Sequence, residues 1–484
     1  MITTYAELLT TEQVERIHEA SLEILENIGM LVRNEKARAL FARHGCHVDT
    51  QTGLVKFPRA VVEDFCHAFS PSFTFHGRDP QYDRTLPQDG PVVVTASSAP
   101  NIIDPVTGQE RRACSDDIAR IAHLVNALPG YDVFSISTLA DDAPPEQFSL
   151  ARYYPALKNC LKPVRGNTPD VADLKKVLRL GALIAGSEDA YRERPFITLH
   201  YCPVVSPLTM DVASTEMTMF AVQEGWPCYG SIVPNAGVSA PLSLTGTLAQ
   251  CNAEFLALAV MVQMLRPGAP LIYATLPTVA DVRTGAYAAG AIETGMLHMG
   301  CSQMARYYNV PSGGYVGLTN AKVNDAQCGY ETGMSTLAGV LAGADMLNMG
   351  GLLDALLAFD FGKAVIDDEI ALMLKRVVRG LEFSEENLAL DVLAEVGPGG
   401  MFMDHRHTLK RMRSTALLPQ VADRDTRDLW QEKGALDTHT RALQRARDML
   451  TRDNPAVFAP DVDARIRAEF KGLVAGDAVL PAGW

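Results

Sequence analysis

Hydrophobic positions near the start of the chain recur at helical spacing. Val14, Ile17, Ser21, Ile24, Leu25 and Ile28 fall on one face, Thr10 can cap together with Gln13 three residues on, and Gly29 stops the turn. A partly helical segment is predicted to follow to about residue 88, ending in the turn-rich FHGRDPQYDRTL. From residue 91 the pattern changes. Short β-rich runs that end in polar, Gly or Pro residues alternate with longer helical stretches. The predicted strands are 91–98, 131–138, 162–168, 196–203, 227–234, 270–277, 310–319 and 344–351. The helical segments after them are 115–127, 145–158, 169–185, 209–224, 241–265, 285–308, 327–343 and 366–381.

Eight such units predict an α/β fold, a (β/α)8 TIM barrel, with chemistry at the C-terminal ends of the strands. A doubly wound open sheet would also alternate, but it wants a Gly-rich fingerprint after its first strand, and VVVTASSAPN has none. Beyond residue 385 the chain is more charged and reads as helices folding back over the barrel. The predicted organisation is an N-terminal helical cap (1–90), the barrel (91–385) and a C-terminal helical extension (386–484).

Composition narrows the function. Of 484 residues 47% are hydrophobic, enough for a large core, and 43 Lys+Arg against 57 Asp+Glu leave a net charge of −14. Such a surface repels phosphate backbones and anionic lipid, so neither nucleic acid nor a membrane surface is an expected partner. The N-terminus lacks the pattern of a secretory signal. No bilayer-spanning run is expected either, the greasiest stretch, Met334 to Phe359, being broken by Asp345, Asn348 and Asp354. The nine cysteines are scattered without a C-x-x-C, which predicts reduced thiols and a cytoplasmic setting. His44-Gly-Cys46-His47 and Cys66-His67 have poor spacing for a zinc site.

On a barrel, the strand ends supply Ser97, Ser98, Ser137, Arg165, Asn167, His200, Tyr201, Tyr229, Ser231, Tyr273, Thr275, Tyr315, Asn320, Asn348 and Gly350. This set is aromatic and neutral-polar. It holds no evident metal-ligand group and no mid-strand Lys for a Schiff base. The stretch SGGYVGLTNAKVNDAQCGYETG (312–333) admits several readings: a Gly-rich phosphate cradle, close approach of a planar cofactor, or local turns with Asp325 as a helix cap. After the eighth strand, Phe359 and Phe361 at i, i+2 could bring two rings over the barrel mouth. Rings facing a cavity bind quaternary ammonium by cation–π attraction, about 2 kcal/mol or more when desolvated. Asp367, Asp368 and Glu369 read as a helix first turn complementing the macrodipole.

Four segments carry a family resemblance: HGRDP (76–80), NAKVNDAQCGYE (320–331), AVIDDEI (364–370) and VGPGGMFMDHRHTLKRMR (396–413). In this order and spacing the chain resembles the trimethylamine:corrinoid methyltransferase family, whose fold is also a (β/α)8 barrel. The resemblance implies methyl transfer from a methylated amine to the Co(I) form of cobalamin, carried by a separate corrinoid protein. Archaeal members that use trimethylamine contain pyrrolysine near the barrel mouth. This chain has only standard residues, which points to the subgroup similar to glycine betaine methyltransferase.

Chemistry supports that division. A quaternary ammonium leaves as a neutral tertiary amine when the cobalt attacks its methyl, so the protein must mainly position and desolvate the cation. The cage candidates are Tyr201, Tyr229, Tyr315, Phe359 and Phe361; Arg165, Asn167 and His200 are candidates for a distal carboxylate, with Asn348 beside them. Glu331 and Asp325 are the candidate catalytic acids, supplying negative potential near the cation or ordering their loop, and Gly313, Gly314 and Asn320 are candidates for cofactor contact. A phosphate-binding aldolase or isomerase and a non-catalytic betaine-binding protein are the alternatives. Homo-oligomerisation is expected through the N-terminal helices and the C-terminal extension.

Overall fold

Each of the eight predicted runs contains a strand in the computed structural model, which describes residues 4–484. The strands are β1 (Val92–Val94), β2 (Phe134–Ser135), β3 (Val164–Gly166), β4 (Ile197–Tyr201), β5 (Cys228–Ile232), β6 (Tyr273–Thr275), β7 (Ser312–Tyr315) and β8 (Met346–Asn348). All neighbours pair in parallel, β2 through β8 in chain order and β8 back onto β1. A parallel bridge from Val94 to Val133 closes the ring. The surrounding helices are α1 (Ser115–Ala127), α2 (Leu150–Asn159), α3 (Val171–Ala185), α4 (Ala213–Glu224), α5 (Leu244–Leu265), α6 (Ile292–Tyr307), α7 (Ala326–Leu341) and α8 (Phe361–Arg379). The chain is therefore a (β/α)8 barrel.

Strand alternation sorts the barrel wall into inward and outward side chains. Val92, Val94, Val133, Ile272, Ala274 and Met346 form an inward apolar layer, and Phe73, Phe75 and Leu86 pack against it. These three belong to an antiparallel hairpin, Phe73–Phe75 with Arg84–Leu86, that stoppers the N-terminal end of the barrel. The turn-rich HGRDP segment is its tip, where Asp83 accepts from the backbone of Gly77 (2.8 Å) and pairs with His76 (3.1 Å).

The N-terminal region is less helical than its sequence predicts. Thr10 and Gln13 do make the capping box of the first helix, Thr11–Glu23. A π-turn over Ile24–Ile28 then rotates the face, leaving Leu25 buried and Ile28 59% exposed. Gly29 follows at φ +82°, where a Cβ would come within 2.5 Å of the Val55 carbonyl. The next residues form a small sheet, Met30–Val32, His47–Val48 and Leu54–Lys56, which the β4–α4 loop extends with Val204–Val205 and Thr209–Met210.

Two further expectations change. The helix α5 is long and apolar enough to cross a bilayer, although no such run was expected. Its residues are almost all buried, because the first helix and the helices Glu35–Arg43 and Arg59–Cys66 cover it on the side away from the barrel. A helix covered on every side needs no polar face. Asp367, Asp368 and Glu369 lie in the middle of α8, not in its first turn, which Asp360 caps by accepting from Lys363 N (2.6 Å). Successive helical residues point about 100° apart, so each acid serves a different segment. Asp367 accepts from Gly351 N (2.9 Å), Asp368 from Gly130 N (2.6 Å), and Glu369 from Val421 N (2.7 Å) and Ala422 N (2.9 Å) of the C-terminal extension.

Candidate active site

Above the apolar layer the inward positions turn polar. Ser135 of β2, Arg165 of β3, His200 of β4, Tyr229 and Ser231 of β5, Tyr315 of β7 and Asn348 of β8 occupy this level, and all are buried. Arg165 is its hub. Its Nε donates to Ser135 Oγ (2.9 Å), Nη1 to the Tyr229 hydroxyl (2.6 Å), and Nη2 to the Tyr315 hydroxyl (2.8 Å) and Ser97 Oγ (3.4 Å). The hydroxyls of Ser97 and Tyr315 are 2.7 Å apart. Tyr229 also rests edge-on against Phe73 and Phe75, with centroids 5.7 and 6.2 Å away, so the stopper supports the polar layer. The side-chain oxygen and nitrogen of Asn348 are buried without a hydrogen-bond partner.

The charge of this layer is unusual. Burial works against the charge of Arg165, but the phenols of Tyr229 and Tyr315 hold its proton more tightly than usual. Tyr229 is pushed up to about 12, by burial first and against the pull of Arg165. Burial, and then the nearby Arg165 charge, push His200 well below the ordinary imidazole value. The ring is therefore neutral at pH 7; its Nε2 lies 2.7 Å from Ser231 Oγ. Among the described residues no carboxylate approaches Arg165 within 4.0 Å, and no three His, Cys, Asp or Glu side chains converge as metal ligands.

The rim beyond the strand ends holds Ser97, Ser98, Asn167 and Tyr287, all half-buried, and Cys202. Cys202 is reached by solvent, and burial pushes its thiol up to about 11. Burial raises the Tyr287 phenol to about 12, with Tyr315 adding to the shift. Behind the rim lies Arg152 of α2, a fully buried guanidinium that donates from Nη1 to Asn167 Oδ1 (2.9 Å) and from Nη2 to Ser98 Oγ (3.3 Å).

Several predicted site residues stand elsewhere. Tyr201 follows the inward His200 by one position, so alternation turns it outward, where its hydroxyl meets Thr168 Oγ1 (2.9 Å) near Met217 of α4. Phe359 and Phe361 are core residues, with centroids 5.4 Å apart, and Phe361 also packs on Trp484 (5.0 Å). They do not roof the mouth, since the C-terminal tail claims them. Asp325 caps α7, accepting from Gln327 N (2.9 Å) and Cys328 N (3.3 Å). Glu331 ties down the β7–α7 loop by accepting from Thr319 Oγ1 (2.6 Å), Asn320 N (2.8 Å) and Gln327 Nε2 (2.9 Å). Asn320 spans to the preceding loop through Tyr287 O (2.7 Å) and Gly290 N (2.9 Å).

Gly313 and Gly314 serve close packing within the wall. A Cβ on Gly313 would lie 2.7 Å from Met346 Cβ, and one on Gly314 1.8 Å from the Thr275 carbonyl. Neither glycine is open to a phosphate or a corrin ring, and a carboxylate occupies the loop amide that a phosphate would need. Sequence reasoning missed Arg152, Ser135 and Tyr287. Arg152 sits among apolar helix neighbours in LARYYPAL, where an arginine with no acid beside it was the available signal.

A closed parallel barrel of eight strands with buried polar side chains at its C-terminal mouth defines the class, a TIM barrel. The model of the trimethylamine methyltransferase (MTTB) family matches residues 2–473, and the chain belongs to that family. It is 32% identical over 464 residues to a glycine betaine methyltransferase of Desulfitobacterium hafniense (strain Y51), covering 95% of this chain and 96% of that protein. It is 30% identical over 457 residues to the trimethylamine methyltransferase MttB of Desulfitobacterium hafniense (strain DSM 10664 / DCB-2), covering 94% and 92%. Among solved structures, the monomethylamine methyltransferase of Methanosarcina barkeri shares the fold, with a TM-score of 0.50 at 14% identity over 90% of this chain and 91% of that one.

Proposed function

We propose that the protein transfers a methyl group from a quaternary amine bearing a carboxylate, glycine betaine or a close analogue, to the reduced cobalt of a cobalamin carried by a separate corrinoid protein. The observation that carries this reading is the charge of the mouth: two fully buried guanidiniums, Arg152 and Arg165, with no carboxylate within 4.0 Å of either among the described residues. A bare cation such as protonated trimethylamine is repelled by that pair. A zwitterion is attracted when its acid end lies against a guanidinium and its ammonium end points away from it.

The corrinoid supplies the nucleophile; the departing nitrogen keeps the C–N electron pair and leaves as a neutral tertiary amine. The chain's own residues bind, orient and exclude water. Tyr229 and Tyr315, pinned by Arg165, fix the floor of the mouth beneath the donor. The neutral imidazole of His200 adds no repulsion. Residues at the strand ends face outward from the barrel, the side from which a corrin ring can approach. Gly313 and Gly314 pack within the wall and Asn320 braces its loop, and the corrin ring's contacts are assigned to its carrier protein.

We place the protein in the cytoplasm, in keeping with nine free cysteines. Self-association is assigned to the stretch where α8 passes into the C-terminal extension, with Leu381 and Phe383 92% and 85% exposed, and to the extension itself, with Met401 and Met403 exposed. The test is to mix the protein with Co(I) cobalamin and a panel of methylated amines and follow the absorbance change to methyl-Co(III). Turnover with glycine betaine or a related betaine is expected. Turnover with trimethylamine and with no quaternary amine overturns the substrate class.

A further inference from the structure

We infer that Ser98 and Asn167, backed by the buried charge of Arg152, form the subsite that holds the donor's carboxylate. The inference rests on the betaine reading and assigns its acid end to one wall of the mouth. The argument begins with what an arginine can do. A guanidinium has five N–H donors and no acceptor. Because Arg152 Nη1 donates to Asn167, the amide oxygen must face the guanidinium and the NH2 group must face away from it. Because Nη2 donates to the oxygen of Ser98, the Ser98 proton is likewise free to point elsewhere. Both residues are half-buried at the rim while Arg152 is enclosed. The rim at this point therefore offers the Asn167 NH2 and the Ser98 O–H as donors, with a positive charge one hydrogen bond behind them.

Three further observations support an anion here. Arg152 Nε is buried with no partner among the described residues, so the guanidinium is under-satisfied as it stands. Burial alone lowers its proton affinity, as expected for a charge awaiting a counter-charge. Ser98 is held at φ +67°, a conformation rare for a residue other than glycine. Arg165 is the less suitable holder: four of its N–H contacts already go to Ser135, Tyr229, Tyr315 and Ser97. Its role is to fix the rings. Arg152 is a positioning residue, acting through the two side chains it orients.

The experiment is calorimetric binding of glycine betaine and of tetramethylammonium, without corrinoid, to the full chain and to Asn167→Asp, Arg152→Gln and Arg152→Lys. Asn167→Asp is nearly isosteric, sits at the rim and replaces the donor face with a carboxylate, so it tests the subsite even where Arg152→Gln fails to fold. The expected result is a loss of about 100-fold in glycine betaine affinity for Asn167→Asp, with tetramethylammonium bound within threefold of the wild type or more tightly, and partial recovery in Arg152→Lys relative to Arg152→Gln. Equal losses for both ligands, or unchanged betaine binding in Asn167→Asp, overturn the subsite. Methyl transfer from some other amine by a wild type that binds no betaine overturns the subsite and leaves methyl transfer standing. Asn167-dependent betaine binding without methyl transfer from any donor supports the subsite and defeats the enzymatic reading.

Discussion

The two ends of the barrel are built on one alternation and carry opposite chemistry. At the N-terminal end, valines, Ile272 and Met346 meet the stopper of Phe73, Phe75 and Leu86, and the energy is that of burial and packing. One layer higher, the same inward positions hold Arg165, His200, Tyr229, Ser231, Tyr315 and Asn348, and hydrogen bonds set the geometry. Tyr229 belongs to both, its ring on the stopper and its hydroxyl on Arg165. The lesson is that the apolar end supplies a rigid base on which a buried charge can be aimed. A third region is the groove of about 610 Å3 lined by Leu381, Phe383, Leu388, His407 and Met412. It lies at the far end of α8 from the mouth and holds no buried charged network of this kind.

The sharpest way to break this comparison is Arg165→Gln. Losing the contacts that fix both rings is expected to lower kcat/KM for the donor by about a thousandfold, on the order of 4 kcal/mol. A loss under tenfold, measured by methyl-Co(III) formation, shows that the rings hold their places unaided. Next, Phe75→Ala in the stopper is expected to cost about 3 to 5 kcal/mol of stability in urea denaturation. The donor's KM should stay within a factor of two in the folded variant. If kcat/KM falls as far as in Arg165→Gln, the two layers act as one unit and the contrast fails.

pH separates the layers in a third way. His298 of α6, whose Nε2 meets the Tyr315 carbonyl at 2.7 Å, is lowered by burial to about 4, and His200 is lowered too. A histidine depressed in the folded state favours folding above its unfolded value near 6.5 and loses that contribution as pH falls toward the folded value. Each contributes a slope of up to about 1.4 kcal/mol per pH unit in that window. Asp368, raised by burial to about 6, works in the opposite sense between about 6 and its unfolded value near 3.9. The difference between wild type and His298→Asn isolates one proton, expected between pH 6.5 and about 4. Parallel stability curves would show that the imidazole is already charged in the fold. The smallest effect belongs to Asp325→Ala, which removes a helix cap: about 1 kcal/mol of stability and methyl transfer within a factor of two. A hundredfold loss of turnover at unchanged stability would restore Asp325 as a catalytic acid.

Much of this was legible in the chain itself. Eight β-rich runs announced the barrel, and six of the polar side chains now found at the inner level, Arg165, His200, Tyr229, Ser231, Tyr315 and Asn348, stood among the named strand-end residues. The misplacements share a cause. Tyr201 stands one residue from His200 and was admitted with it, although a strand shows only every second side chain to the barrel interior. Phe359 and Phe361 offered rings of the right kind, but they pack on each other, and Trp484, more than a hundred positions along the chain, packs on Phe361. Asp325, Glu331 and Asn320 are residue types that cap and brace loops as readily as they catalyse, and only their hydrogen bonds separate the two uses.

By itself, the sequence determined the barrel, its strand count and the family, because alternation and motif spacing are local properties of a chain. The tertiary structure alone decided that two guanidiniums meet no carboxylate at the mouth, since whether a buried charge has a partner depends on segments far apart in sequence. Arg152 shows this most plainly: it is an unremarked helix residue in one dimension, and in three it turns Ser98 and Asn167 into donors facing the mouth.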